Sequence, residues 1–195
     1  MRQSAQAEIA WNSWCSATVP GTRTVDPIEG LTMFDKLNNT REVFGHKLGS
    51  ALTMEQDVLG MLGDLEDKAR RDELKQQFRH HADETRQQID NIEQVFRALG
   101  EEPDDSPCQV TKALDKEAKA NIKMADDSVL DSVILSGAAE TEHHEIAVYE
   151  ALITQAEQFD QPEIVQLLQQ NLEIEQHTLD EVKRAQQREL AGATA

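Results

Sequence analysis

The stretch ETEHHEIAVYE, residues 140–150, places Glu142 and Glu145 on the same face of a predicted helix as Tyr149. Residues three or four positions apart share one helix face, so both carboxylates continue an apolar row that a helical bundle would bury. Ionised carboxylates are almost never fully buried without a partner. Either this face of the helix meets water, or a positive charge lies inside the protein.

Four long segments carry the period of amphipathic helices, at residues 33–66, 71–99, 128–158 and 162–188. No convincing alternating strand pattern is present, so the predicted fold class is all-α. Short connections join the first segment to the second and the third to the fourth, which predicts antiparallel neighbours. The long connection between the second and third segments contains a fifth, shorter predicted helix within 110–125.

This long connection bears on the direction of the third segment. A helix of about 28 residues is about 42 Å long, and a connection that is part helix and part extended can span that length. The third segment can then run parallel to the second, in a four-helix bundle with a long crossover between its second and third helices (B–C). The alternative is an up-down-up-down bundle in which the long connection leaves the bundle and returns to the same end. Residues 33–190 form the predicted bundle domain, and residues 1–32 a separate N-terminal extension.

Composition excludes several classes of partner. The formal net charge is −18, which argues against nucleic acid and disfavours an anionic membrane surface. Such acidity is typical of a salt-tolerant host or of a surface that handles cations. The two cysteines, Cys15 and Cys108, form no CxxC pair, so a zinc ribbon, a rubredoxin-like iron site and a disulfide scaffold are not expected. The first 20 residues lack a continuous apolar run, and a cytoplasmic location is expected.

Polar side chains interrupt each apolar stripe near its middle. The interrupting titratable residues are Glu55 in the first segment, His81 and Glu84 in the second, Glu142 and Glu145 in the third, and Glu175 in the fourth. Glu84 lies one turn from both His81 and Gln88, and the second stripe itself runs through His81, Thr85 and Gln88. Four of the carboxylates, one from each segment, can be counted from the nearest short joint, and each lies about 20 Å from it. The interruptions therefore meet at one level of the bundle.

Carboxylates so close together would raise one another's pKa or force the helices apart. One interruption is more often a helix whose carboxylate faces water, but that explanation does not suit four interruptions at matching depth. Di-iron and di-manganese sites in helical bundles are built from carboxylates that four helices contribute. We therefore predict two divalent or trivalent cations, either iron or manganese ions, bound by the five carboxylates. His81 is the predicted nitrogen donor or outer partner.

Four further side chains leave alternatives open. His143 and His144 both flank the inward face of the third segment, and either could hydrogen-bond a ligand carboxylate. His177 lies off the Glu175 stripe, which favours a surface position or an outer partner over a ligand. Tyr149, the only tyrosine, is either plain core or a hydrogen-bond donor near the metals.

Four stretches resemble the ferritin-like superfamily, and within it the bacterial YciE/YciF stress proteins. They are TMEQDVL (53–59), HHADETRQQIDNIEQVFRALGE (80–101), AETEHHEIAVYEAL (139–152) and LLQQNLEIEQHTLDEV (167–182). The resemblance covers about residues 40–185 and implies a ferritin-like four-helix bundle. It matches Glu55, Glu84, Glu142, Glu145 and Glu175 to carboxylate ligands of ferritin-like di-metal sites. The Glu-x-x-Glu of the third segment resembles that of rubrerythrins.

The chain departs from ferritins and rubrerythrins at the histidines that follow their second-helix and fourth-helix glutamates by one turn. Here Gln87 or Gln88 follows Glu84, and Thr178 or Leu179 follows Glu175. A carboxylate-rich site of this kind favours manganese somewhat more than a histidine-rich one does. The paired cysteines of a rubredoxin tail are absent, so no built-in electron donor is expected.

The resemblance implies a stress-related di-metal protein that oxidises metal or consumes peroxide or oxygen, and disproportionation of the manganese catalase type is a further form of this activity. The alternative is a non-catalytic helical stress or interaction protein with a structural or vestigial metal site. The fourth predicted helix ends near Leu190 with only AGATA after it, so the extra C-terminal helix of 24-subunit ferritin shells is not expected. A homodimer or small homo-oligomer is therefore expected.

Overall fold

The computed structural model describes residues 36–193, and the side chains of residues 36–191. These residues form five helices and no strand: α1 (Thr40–Lys68), α2 (Asp72–Ala98), α3 (Gln109–Met124), α4 (Leu130–Ala156) and α5 (Pro162–Ala193). None of the helices is both long enough and apolar enough to cross a membrane. The predicted all-α fold is confirmed, while the predicted extension 1–32 lies outside the described residues.

The ends of α1 and α2 have local causes. The α1 helix begins at Thr40 and not at the predicted residue 33, because residues 36–39 are not helical. The side chain of Asn39 accepts a hydrogen bond from the Glu42 N–H at 3.0 Å, which caps the new start. After α2, Gly100 adopts a φ of 73°, and the N–H of Glu101 bonds the carbonyl of Phe96 at 3.0 Å. Glycine adopts this left-handed conformation without strain and so ends the helix.

Contacts at the two ends of the bundle give the direction of each helix. At one end Arg71, at the start of α2, pairs with Asp131 at the start of α4 (3.3 Å) and with Glu189 near the end of α5 (2.7 Å). At the other end Phe44, near the start of α1, packs edge-on against Phe159, just after α4, with ring centroids 5.0 Å apart. Helices α2 and α4 are therefore parallel. The long crossover is confirmed, and the up-down-up-down alternative is wrong.

The crossover helix α3 lies across α1 and α4 at the outside of the bundle. The Thr111 hydroxyl donates to Asp57 at 3.1 Å, and Lys119 pairs with Asp64 at 3.1 Å, so α3 is tied to α1 in its first turn and again past its middle. Thr111 is its only buried residue. The helix therefore covers the bundle without completing its core.

Two apolar clusters fill the bundle. The largest fully buried side chains of the first include Phe44, Leu48, Met54, Ile92, Phe96, Leu152, Ile164 and Leu168. The second includes Val58, Leu62, Leu74, Phe78, Ile134, Leu135, Val182 and Ala185. Along α1 the first cluster ends at Met54 and the second begins at Val58, and Glu55 lies between them. The core is thus divided at mid-height, which is where the interrupted stripes were expected to meet.

Candidate metal centre

A polar layer crosses the bundle between the two apolar clusters, and all four bundle helices contribute to it. Its buried members are Glu55 from α1; His81, Thr85 and Gln88 from α2; Glu142 and Glu145 from α4; and Asn171, Glu175 and Thr178 from α5. On each helix these side chains follow buried apolar ones at spacings of three or four residues, so they share the buried face. The core packing on both sides holds the layer in place.

Four of these residues form a compact group, which we call the inner cluster: His81, Glu142, Glu145 and Glu175. Each offers one nitrogen or oxygen atom, and these four atoms all lie within 4.8 Å of one another. The His81 Nε2 atom is 3.4 Å from Glu142 Oε1 and 3.9 Å from Glu175 Oε2. One imidazole and three carboxylates brought together from three helices form a donor set that suits a divalent cation.

The inner cluster leaves many buried polar atoms without a hydrogen-bond partner. They are both carboxylate oxygens of Glu145, Oε2 of Glu142, Oε2 of Glu175 and Nε2 of His81. Leaving a buried polar atom unpaired is costly, and native proteins almost always satisfy such groups. A cation bound among these atoms would satisfy them together.

Burial shifts the pKa of the cluster residues. Burial, together with the charges of Glu175 and Glu55, raises the pKa of Glu145 well above its usual range. Burial and the charges of Glu55 and Glu142 do the same for Glu175. Burial alone would lower the pKa of His81, but its interactions with Glu142 and Glu84 outweigh burial and raise it well above normal. The metal-free cluster therefore retains protons at neutral pH, which a metal would displace.

Glu55 lies beside the inner cluster. Its Oε1 accepts a hydrogen bond from the Tyr149 hydroxyl, and its Oε2 has no hydrogen-bond partner. Burial raises the pKa of Glu55 to about 7, although the Tyr149 hydrogen bond acts in the opposite direction. Because the charge of Glu55 affects the pKa of both Glu145 and Glu175, it belongs to the same electrostatic unit.

Glu84 lies at the outer edge of the layer. Its side chain is 25% exposed, with one oxygen 3.7 Å from Nδ1 of His81 and the other 3.6 Å from Nε2 of exposed His80. Its exposure, against 5% for the side chain of His81, places it at the edge of the buried face of α2. Glu84 contacts the Nδ1 side of His81, whereas the inner cluster lies on the Nε2 side. Its role as a metal ligand stays a prediction.

Amide side chains hold the layer together through contacts that sequence reasoning missed. The Gln88 Nε2 donates to Glu175 Oε1. The Asn171 Nδ2 donates to the Tyr149 hydroxyl at 3.0 Å and to the Gln88 carbonyl at 3.1 Å, and Asn91 donates to the Asn171 side chain at 2.7 Å. The position of Asn171 could have indicated its place in the layer, since it lies one turn before Glu175 on the same helix face.

The remaining histidines lie outside the inner cluster. His143 is exposed, and exposed His177 lies 3.6 Å from Glu181. His144 contacts the Sγ of buried Cys108 at 3.7 Å. Burial would raise the pKa of Cys108, but its contacts with His144 and Thr111 outweigh burial and lower the pKa to about 6. This thiol–imidazole pair was also missed, because Cys108 belongs to the crossover and carries no helical period.

Two cavities reach Glu142 from opposite sides of the bundle. One lies beneath α3, between α1 and α4, and its walls are mainly apolar, with Leu62, Leu114 and Ile122 among them. The other lies between α2, α4 and α5 and is lined by Leu62, His81, Glu142 and Glu181, among other residues. The centre is therefore close to the surface on two sides that differ in chemistry.

Comparison with known proteins places the chain in a family. Residues 39–194 match the family described as "Domain of unknown function (DUF892)". The chain is 30% identical over 144 residues to Protein YciF of Escherichia coli (strain K12), a match that covers 73% of this chain and 87% of that protein.

Two solved structures share the fold. The structure of YcfI from Rhodopseudomonas palustris, whose description proposes a structural role, matches with a TM-score of 0.74 and 31% identity, over 78% of this chain and 98% of that one. The structure of the E. coli stress protein YciF matches with a TM-score of 0.75 and 26% identity, over 80% of this chain and 99% of that one. The chain therefore belongs to the DUF892 family and is a protein of the YciE/YciF type.

Proposed function

We propose that this protein binds two iron or manganese ions in its polar layer and uses them to consume peroxide or dioxygen, or to oxidise metal. The observation that supports the proposal is the set of unsatisfied, fully buried oxygens on Glu142, Glu145 and Glu175 beside the unpaired nitrogen of His81. These oxygens and one imidazole nitrogen suit iron and manganese better than a thiolate-seeking metal.

The residues present fit the proposed ions. The inner cluster offers four donors for one ion. Glu55 Oε2 and the second oxygens of Glu142 and Glu145, which have no hydrogen-bond partner, offer donors for a second. Glu84 is the predicted outer ligand. When bound, iron or manganese would supply the electron transfer to peroxide or dioxygen that no side chain of the cluster can supply.

The chain's own contribution is to position donors and to exclude water. Tyr149 holds one oxygen of Glu55, and Gln88 holds one oxygen of Glu175, so in each carboxylate the other oxygen remains available. The two apolar clusters close the layer from both ends of the bundle. In such an environment charges act strongly on one another because solvent screening is weak.

A structural role without catalysis is the second candidate. It is favoured by the description of YcfI, which proposes such a role for that protein. In this case metal would bind weakly or serve only to stabilise the bundle. Peroxide turnover by the metal-loaded protein would separate the two candidates, because a structural site would bind metal without it.

The test is metal analysis of protein purified without chelator, followed by peroxide addition under an absorbance readout. We expect two ions per chain in the wild type and a loss of binding in Glu145→Gln, which keeps the shape of the side chain and removes its charge. Exposed Glu150 lies on the same helix, and Glu150→Gln is the matched control that should keep both ions. Two tightly bound ions in Glu145→Gln would refute the di-metal proposal.

We also propose that the protein acts in the cytoplasm as a homodimer or small homo-oligomer, as its sequence predicts. Light scattering coupled to size-exclusion chromatography measures the assembly directly. A particle of shell size would contradict the proposal.

A further inference from the structure

A group of histidine and glutamate side chains lies at the surface just outside His81. We call it the outer cluster: His80 and Glu84 on α2, and His177 and Glu181 on α5. The His80 and His177 side chains are 69% and 62% exposed, and each lies 3.6 Å from the carboxylate on its own helix. Thr178, next to His177 on α5, lies 3.4 Å from Nδ1 of His81, next to His80 on α2, so the two pairs lie on adjacent stretches of α2 and α5.

Glu84 connects the outer cluster to the inner one. One of its oxygens contacts exposed His80, and the other contacts Nδ1 of His81, whose ring is buried. The opposite ring nitrogen of His81, Nε2, has no hydrogen-bond partner and faces Glu142 at 3.4 Å. A continuous row of donor atoms therefore runs from the surface to the inner cluster.

A cavity beside this row shares His81 and Glu142 with it, although His80, Glu84 and His177 do not line it. Its volume is about 360 Å³, counting the space at its mouth, and its lining includes Glu181, Thr178, His81 and Glu142. Glu142 is buried, and its Oε2 has no hydrogen-bond partner. The cavity therefore joins a carboxylate at the surface to an unsatisfied carboxylate in the core.

We propose that divalent cations enter the metal centre between α2 and α5, with the outer cluster as the first binding site and Glu84 as the group that passes the ion inward. A hydrated cation gives up its water at a large cost unless protein ligands replace it step by step. The donor row supplies such ligands at every step. The cavity beneath α3 has no imidazole in its lining, which is mainly apolar and includes Leu62, Leu114 and Ile122.

This inference rests on the proposed metal centre, and the test separates the two. Full-length protein is freed of metal by a chelator, mixed with Co²⁺ under anaerobic conditions, and followed by stopped-flow visible absorbance. Metal analysis then gives the final number of ions per chain. Glu181→Gln removes one negative charge at the mouth between α2 and α5. Glu140→Gln, an exposed residue at the cavity beneath α3, removes the same charge on the other side.

We expect Glu181→Gln to slow loading about fivefold, since local charge steers ions toward a cleft, and to leave the final number of ions unchanged. Glu140→Gln should load at the wild-type rate. Glu84→Gln should slow loading more than Glu181→Gln does. Equal rates in Glu181→Gln and the wild type, or a slower rate in Glu140→Gln alone, would overturn the entry route while the metal centre stands. A wild-type protein that binds no Co²⁺ would overturn both proposals.

Discussion

The hydroxyl of Tyr149 donates a hydrogen bond to Oε1 of Glu55 and accepts one from Asn171 Nδ2 at 3.0 Å. This contact links α4 and α5 to α1 in the middle of the polar layer. Because Asn171 occupies the acceptor side of the hydroxyl, its proton is directed at Glu55. One oxygen of Glu55 is thereby fixed, and the other faces the layer without a hydrogen-bond partner.

Tyr149→Phe should lower the free energy of unfolding of the metal-free protein by about 1–3 kcal/mol, because Glu55 and Asn171 each lose a buried partner. Urea denaturation followed by circular dichroism measures the change. Thr154→Val on the exposed face of α4 is the control and should stay within about 0.5 kcal/mol of the wild type. An equal effect of the two substitutions would mean that the Tyr149 hydroxyl contributes nothing to stability.

The metal-free protein should become less stable as pH rises from about 5 to 7.5. Glu55 has a folded pKa of about 7 against 4.5 for an unperturbed glutamate, so the native state holds the proton that the unfolded chain releases. This difference costs about 2.4 kcal/mol across that range for Glu55 alone. The pKa values of Glu145, Glu175 and His81 are also raised. Their titration therefore also lowers the free energy of unfolding as pH rises.

Urea midpoints at several pH values, measured in a Cys108→Ser background, test this dependence. The background is needed because the lowered pKa of Cys108 stabilises the native state above pH 6, with the opposite sign. Glu145→Gln, which cannot titrate, should flatten the curve. With metal bound the trend should reverse, since the metal competes with protons for the same atoms. A metal-free protein whose stability rises across this range would contradict the predicted pKa shifts.

The sequence predicted the bundle well because burial leaves a helical period in the chain. The five helices and the depth of the polar layer followed from that period, while the crossover was one of two arrangements that the length of the connection allowed. The helical period could not decide the position of Glu84, because a carboxylate at the edge of a buried face can point into the core or into water. The family resemblance favoured the inward position of a metal ligand. The buried row His81, Thr85, Gln88 was visible in the sequence, but only the packed helices showed Gln88 bonded to Glu175.

Contacts between distant segments were also beyond sequence reasoning. Asn171 looked like an ordinary helix residue until α2 and α4 were placed beside it, with Gln88 and Tyr149 as partners. The Cys108–His144 contact joins the crossover to α4 over 36 positions of the chain. Neither contact has a periodic signal, since each depends on how non-adjacent segments pack.

Gly49→Ala should destabilise the protein, because the connection after α2 lies directly on α1 at this position. A Cβ on Gly49 would come within 2.5 Å of the Asp104 carbonyl oxygen and 3.1 Å of the Ser106 amide. Moving this backbone should cost about 1–3 kcal/mol, measured as a shift in the urea midpoint. Gly60→Ala in the same helix meets nothing within 4 Å and should stabilise by about 0.5–1 kcal/mol. If both substitutions stabilised the protein, the connection would not lie against α1.

The thiol of Cys108 should ionise at a pH where ordinary thiols stay protonated. Contact with His144 and Thr111 outweighs burial to bring the pKa of Cys108 to about 6. The ultraviolet absorbance of the thiolate, which needs no reagent to reach this buried side chain, should rise through a midpoint near pH 6 in a Cys15→Ser background. His144→Ala should move the midpoint upward by removing a contact that favours the thiolate. A midpoint that stays above about 8 in the unsubstituted Cys108–His144 pair, as for a free thiol, would show that the imidazole does not activate this cysteine.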